Sequence, residues 1–127
     1  QCINDIKRLF SYIPSNCEEQ PPFADYESDD NEKRPEIIKI IPDNPNQPYD
    51  MREIIEQITD ADSFFEVHKN YAENIVVGFA RIGGRSVGIV GNQPAVLAGV
   101  LDINASIKGA RFVRFCDCFN IPLLVLE

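Results

Sequence analysis

The chain is poor in the side chains that self-contained active sites use. It has one histidine, His68, so no Ser/His/Asp set can be assembled convincingly. Set between Val67 and Lys69, His68 reads first as a surface or hydrogen-bonded residue and only second as a catalytic base. The four cysteines, Cys2, Cys17, Cys116 and Cys118, form no C-x-x-C pair of a zinc site. Cys116 and Cys118 are two residues apart in a helical pattern and point about 160° apart, which suits neither a shared metal nor a disulfide. All four read as reduced thiols of a cytosolic or organellar-matrix protein. There is no phosphate loop of the Walker type. No apolar run approaches a membrane-spanning length, and the opening QCINDIKRLF lacks the apolar centre of a signal peptide. The missing initiator Met fits a fragment or a processed chain.

Positive charge is scarce as well. Twelve Lys and Arg face twenty Asp and Glu, a formal net charge of −8. That balance argues against nucleic acid as a partner, because binding there rests on neutralised phosphates. It also disfavours an anionic membrane surface.

What is present suits one domain of 127 residues with a modest core. Ile3, Ile6, Phe10 and Ile13 recur at helical steps, with Leu9 beside them, and predict a helix over 2–13 that Pro14 ends. A short helix cannot bury its own stripe, so its original partner is expected elsewhere. Residues 14–48 read as an acidic linker. They hold seven of the nine prolines and the acidic pairs Glu18-Glu19 and Asp29-Asp30, which read as solvated. Within this stretch Glu36 to Pro42 is expected to dock as an edge strand.

Asp50 has the position of a helix N-cap, and Glu53 completes a capping-box pattern ahead of Ile54, Ile55 and Ile58. DADSFFEVH (Asp60 to His68) carries a second helix-start signal, with Asp62 or Ser63 as cap. Two strands follow, Ile75–Ile82 and Arg85–Val90, around a Gly83-Gly84 hairpin turn. Gly78 and Gly88 inside them mark bulges or close backbone approaches. A last helix is predicted over Asn104–Phe119, capped by Asp102 or Asn104. Phe112, Phe115, Cys116 and Phe119 form one face, with Lys108, Arg111, Arg114 and Asp117 on the other. Asn120 is the expected left-handed C-cap. Leu123–Leu126 reads as a strand covered on both sides, reached by a right-handed parallel crossover. The order ββαβ therefore predicts a hairpin, a covering helix and a returning parallel strand.

Two segments carry a resemblance. SFFEVHKNYAENIVVGFARIGGRSVGIVGNQP (Ser63 to Pro94) and GVLDINASIKGARFVRFCDCFNIPLLVLE (Gly99 to Glu127) resemble the carboxyltransferase (β) subunit of biotin-dependent acyl-CoA carboxylases, most nearly the propionyl-CoA carboxylases. The likeness runs from about Tyr49 to the end. Many relatives have Ala where this chain has Gly91. The resemblance implies an α/β fold of the crotonase type, a spiral of ββα units, present here as a partial domain behind a helix and a Pro-rich acidic linker. Residues 1–13 would close the family's N-terminal domain, 14–48 would bridge, and 49–127 would begin the C-terminal domain.

It further implies an enzyme that transfers carboxylate from carboxybiotin to an acyl-CoA, propionyl-CoA giving methylmalonyl-CoA. Biotin would arrive on a biotin carboxylase or carrier partner and not be attached covalently to this chain. The parent would be a homo-oligomer, cytoplasmic, or in the mitochondrial matrix if eukaryotic. Backbone amides forming oxyanion holes would supply the catalysis, which suits a sequence without an acid–base pair. The glycine pairs that donate those amides, and the D-x-P-G-F loop after the last strand, are absent from this sequence. The resemblance thus assigns no catalytic residue here, and the chain by itself is expected to be inactive. It is also expected to self-associate or to expose a large apolar patch.

Gly91, Asn92, Gln93 and Pro94 leave a strand end, where open α/β folds place ligands. They read either as part of a biotin-side pocket or as a loop that caps strand ends. Arg81 and Arg85 flank the hairpin and read as solvated or ion-paired before they read as contacts to CoA phosphates. Phe112, Phe115 and Phe119 read as core or subunit-interface residues. Three alternatives stay open: a methylmalonyl-CoA decarboxylase or transcarboxylase subunit, a crotonase-fold hydratase or isomerase, and a non-catalytic interaction module.

Overall fold

The computed structural model describes residues 1–25, 36–44 and 46–127. Asp29-Asp30 lie outside the described residues. The elements are α1 (Cys2–Phe10), α2 (Glu36–Ile40), α3 (Met51–Ile58), β1 (Phe65–Val67), β2 (Ile75–Ile82), β3 (Arg85–Asn92), α4 (Ile103–Cys118) and β4 (Leu123–Leu126), with a short tight turn at Leu97–Gly99. The strands form one sheet in the order β1-β2-β3-β4. β1 and β3 run antiparallel to β2, whereas β4 runs parallel to β3, with Gly88 opposite Leu123 and Gly91 opposite Leu126. Hairpin, covering helix and returning parallel strand all follow the expected order.

β2 is buried along six of its eight residues. Strand alternation sends Ile75, Val77 and Phe79 to one face, where α4 supplies Ala105, Phe112 and Cys116. It sends Val76 and Ala80 to the other, where α3 supplies Met51 and Ile55. Tyr12 closes the α4 side, its ring stacked 6.1 Å from Phe79. The turn of the hairpin needs left-handed backbone, and Gly83 (φ 58°) and Gly84 (φ 77°) provide it. Asp60 grips that turn, its carboxylate accepting from Gly83 N at 2.9 Å and Gly84 N at 2.8 Å.

Several expectations are corrected. Glu36 to Pro42 is not an edge strand; Glu36–Ile40 forms helix α2, packed beside α3 rather than against the sheet. DADSFFEVH does not start a helix. Its polar groups serve the neighbouring strand: Asp60 N donates to Arg81 O, and Arg81 N donates to Ser63 Oγ at 3.1 Å. Phe64 and Phe65 then point to opposite faces, as a strand requires. β4 is not covered on both sides: Leu123 and Val125 are exposed. Cover on both sides belongs to β2, which feeds both cores. Lys108 is not on a solvated face; it is 3% exposed, and its Nζ donates to the carbonyls of Tyr71 (2.7 Å), Ala72 (3.2 Å) and Ile75 (2.8 Å).

The described part of 14–48 is tied to the body. Arg81 donates to Ser11 O (2.6 Å) and Pro22 O (3.2 Å), and its guanidinium lies 4.8 Å over the Tyr12 ring. Asn120 has the expected left-handed backbone, φ 57°, but stands one residue past the C-cap, Phe119; it donates to Cys17 O and Glu19 O. Arg8 donates to Asp62 O and Phe64 O, and the Tyr12 hydroxyl donates to Ser63 O. The stripe of α1 itself stays open: Ile3, Ile6 and Phe10 are exposed, while Leu9 and Ile13 reach the core. Among the described residues no helix is long and apolar enough to cross a membrane.

Two tests follow from the packing. A Cβ on Gly88 would sit 2.7 Å from Cys116 Sγ, 2.9 Å from Leu123 Cδ2 and 3.2 Å from Phe112 Cε1. Gly88→Ala should therefore cost about 1–3 kcal/mol in denaturant unfolding, and should cost less when introduced into a Cys116→Ala background. If Gly88→Ala costs as much in the Cys116→Ala background as in the parent chain, the sulfur is not the obstacle. Burial pushes the Cys116 thiol up to about 12, whereas Cys2, Cys17 and Cys118 are exposed. A thiol reagent near neutral pH should label those three rapidly and Cys116 only on unfolding.

Candidate functional site

The carboxyl ends of β3 and β4 lie at one end of the sheet, beside the start of β2, because Ile75 pairs with Asn92 and Gly91 with Leu126. The residues expected to matter, Gly91 to Pro94, emerge here. Gly91 and Asn92 are still strand, two residues past the predicted end at Val90. Gly91 is buried against α3, where an added Cβ would lie 3.1 Å from Met51 Cγ. Asn92 and Pro94 are half-buried and begin the exposed loop.

Gln93 is fully buried, and its amide is bonded at both ends. Its Nε2 donates to Asp50 Oδ1 at 2.6 Å, and its Oε1 accepts from Met51 N at 3.1 Å and Ala95 N at 3.4 Å. Asp50 is the N-cap of α3, and its Oδ1 also accepts from Arg52 N at 2.9 Å. Asp50 and Gln93 thus occupy the first free amides of α3 between them. Desolvation pushes the Asp50 carboxyl up. The bonds from Gln93 and the Arg52 backbone, with the Arg52 charge, more than offset this and hold it below the ordinary carboxylate value. Arg52 in turn forms a two-pronged pair with Glu66 on β1, at 2.8 and 2.7 Å.

The loop after Gln93 is held from the other side by Asn74. This residue is buried and donates to Val100 O at 2.8 Å and Asp102 Oδ1 at 3.2 Å, while its own carbonyl accepts from Gln93 N. Asp102 caps α4 through Ala105 N at 2.8 Å. Two bonds, from Ala105 N first and from Asn74, keep its carboxyl below the ordinary value. Between these anchors Leu97, Ala98 and Gly99 all have left-handed backbone, φ 49°, 51° and 74°. For the two non-glycine residues that costs about 1 kcal/mol or more each. Leu97, Val100, Leu101, Ile103 and Ile107 are exposed around this turn.

The other candidates separate cleanly. Asp102 is the cap, while Asn104 instead accepts from the Tyr71 hydroxyl at 3.3 Å. Arg81 is spent on backbone carbonyls, and Arg85 lies 5.5 Å over the Phe23 ring. His68 is exposed at the end of β1. It borders an apolar cleft of about 210 Å³ with Leu9, Val67, Phe79, Lys108 and Phe112, which none of residues 91–94 lines. Phe112 is core, Phe119 packs against it, and Phe115 is partly exposed. Burial pulls the Lys108 ammonium below the usual lysine value. Among the described residues no group of three or more His, Cys, Asp or Glu could hold a metal ion. Asn74 and the Asp50–Gln93 bond were not expected. For Lys108 the signal existed: it lies four residues before Phe112 and so shares its helix face.

At the end of the sheet Asn92 and Pro94 therefore lie half-buried beside a fully bonded Gln93, and among the described residues no titratable pair is aimed at one point there. The carboxyl transferase domain profile matches residues 1–127, the whole chain. The chain belongs to the carboxyl transferase domain family. It is 48% identical over 126 residues to the propionyl-CoA carboxylase beta chain of Roseobacter denitrificans, covering 99% of this chain and 25% of that one. It is 52% identical over 124 residues to the propionyl-CoA carboxylase carboxyltransferase subunit of Haloferax mediterranei, covering 98% and 24%. The methylmalonyl-CoA decarboxylase subunit alpha of Propionigenium modestum is 48% identical over 125 residues, covering 98% and 24%. The transcarboxylase 12S structure, solved as a hexamer with hydrolysed methylmalonyl-coenzyme A bound, superposes with a TM-score of 0.93 at 46% identity. That match covers 98% of this chain and 24% of the 12S chain. The chain thus spans about a quarter of the length of these relatives. The crotonase-like α/β reading of a partial domain is borne out by this match and by the four-stranded sheet.

The Asp50 arrangement has a pH signature. The folded carboxyl titrates below the unfolded value of 3.8, so the unfolded chain binds more protons in that window. Its contribution is present above 3.8 and lost as pH falls through the folded value. Asp50→Asn should lower stability at neutral pH by about 0.5–1 kcal/mol, a figure reduced for screening because the side chain is 41% exposed. The gap to the parent chain should close on acidification in parallel urea titrations; a gap unchanged at low pH would refute the assignment.

Proposed function

We propose that this chain is the bridge and the opening ββα turn of the second domain in a biotin-dependent carboxyltransferase subunit. The subunit moves carboxylate from carboxybiotin to an acyl-CoA, with propionyl-CoA the favoured acceptor. The observation that carries the reading is the match along the whole chain to propionyl-CoA carboxylase beta chains at 48–52% identity. The sheet end supports it: Gly91, Asn92 and Pro94 stand at a strand terminus with Gln93 locked beneath them, a rigid amide-bearing edge. We assign this edge to the wall of the biotin-side pocket. Residues 1–13 then close the first domain, 14–48 connect, and 49–127 begin the second.

Biotin arrives on a biotin carboxylase or carrier partner, and when bound it supplies the carboxyl group and the nitrogen base. This chain's share is positioning. α3 and the hairpin set the sheet end, and the 93–102 loop is pinned at Gln93 and Asn74. The subunit works as a homo-oligomer, in the cytoplasm, or in the mitochondrial matrix in a eukaryote. A decarboxylase or transcarboxylase role is the second reading, favoured by 48% identity to the Propionigenium modestum decarboxylase subunit and by the 12S superposition.

The full-length subunit with its biotin-bearing partner should carboxylate propionyl-CoA, whereas residues 1–127 alone should support no transfer. Bicarbonate incorporation into methylmalonyl-CoA, followed by radiolabel, decides this. Release of CO2 from methylmalonyl-CoA without net carboxylation would favour the second reading.

A further inference from the structure

The Asp50–Gln93 bond links the amide-bearing sheet edge to a helix 43 residues earlier in the chain. Gln93 has no solvent exposure, so it cannot itself meet a ligand from solvent. Its two amide atoms hold three partners: the Asp50 carboxylate, Met51 N and Ala95 N. Met51 and Asp50 belong to the start of α3, and Ala95 belongs to the loop that follows the edge. One side chain therefore sets the distance between α3 and that loop. Gln93 N donates to Asn74 O at 3.0 Å, so its backbone is fixed at the same point by the start of β2.

We propose that Asp50 and Gln93 are a positioning pair for the biotin-side pocket, acting through the backbone of Asn92, Pro94 and Ala95 and touching neither substrate. The role rests on the carboxyltransferase reading above. The pair requires an amide facing a carboxylate. Two carboxylates would repel, with no proton or donor between them at neutral pH. Two amides would keep a weaker, uncharged bond.

The groups around the pair are few. Arg52 faces Asp50 from α3, its Nη1 3.5 Å from Oδ1, and it is itself held by Glu66 of β1. Removing Gln93 as a donor leaves Asp50 with Arg52, so α3 keeps its cap while the loop loses its tie to α3 and keeps only the one through Asn74. Loss of the pair should thus move the loop more than it unfolds the domain.

The test uses the full-length subunit in complex with its biotin-bearing partner. Gln93→Glu should raise KM for the biotin side, with free biotin as the carboxyl acceptor from methylmalonyl-CoA, by about tenfold or more. KM for the acyl-CoA should change by less than about twofold. Gln93→Met, which removes the charge question, should give the same direction with a smaller shift. The exchange Asp50→Asn with Gln93→Glu restores one amide facing one carboxylate but gives up the Arg52 N bond to the same Oδ1, so it should recover part of the loss, which a summed pair of unrelated defects would not.

Equal losses on the biotin and acyl-CoA sides would overturn the proposal, as would an exchange variant that regains melting temperature but not biotin KM. Single variants with unchanged KM for biotin in an active enzyme would also overturn it, while leaving the carboxyltransferase reading intact. If the parent enzyme transfers no carboxylate between biotin and acyl-CoA, the reading and the positioning role fall together.

Discussion

The structure depends on one constraint: β2 is covered on both faces. Six consecutive residues of this strand are buried, and alternate side chains feed two separate cores. Here a helix covers each side of it. α3 answers one face and α4 the other. β3 and β4 extend the sheet from β2 in one direction and β1 in the other. The apolar area withdrawn on both faces is the main stabilising term, at roughly 25 cal/mol per Å². A substitution in β2 therefore acts on the α4 layer or the α3 layer according to its position along the strand.

The polar groups follow a second rule. The buried or half-buried ones mostly bond to backbone rather than to each other. Lys108 bonds three carbonyls, Asp60 two turn amides, Asn74 a loop carbonyl, and Arg81 the carbonyls of Ser11 and Pro22. A buried donor or acceptor left unpaired costs about 1–3 kcal/mol, so each such side chain fixes a stretch of chain that no strand or helix would otherwise hold. The loops at the sheet end are shaped this way, and a site of fixed amides needs that rigidity.

Much of this was legible beforehand. The Gly83-Gly84 turn, the Asp50 cap, the last helix and the left-handed Asn120 are local features, and each appears where local chemistry puts it. What was not legible was the choice between competing uses of one signal. Asp60, Asp62 and Ser63 look like helix caps, yet Asp60 and Ser63 bind the hairpin and strand that fold back onto them. Glu36 to Pro42 has strand composition, but it packs beside α3 and takes a helical turn. The uniform apolarity of Leu123–Leu126 suggested full cover, and its sheet position leaves one face open. At the candidate site, the residue types of 91–94 pointed to an amide-bearing strand end. That Gln93 turns inward while Asn92 and Pro94 stay near the surface depends on Asp50, which is far away in sequence.

The order of elements, the turn, the caps and the family likeness are properties of the sequence alone, because each rests on residues within one turn or strand of each other. Which strand is doubly covered, where Lys108 goes, and what Gln93 bonds were decided by tertiary structure. The physical reason is that burial and hydrogen-bond partnership depend on groups brought close in space from tens of residues apart. In the sequence they have no fixed distance.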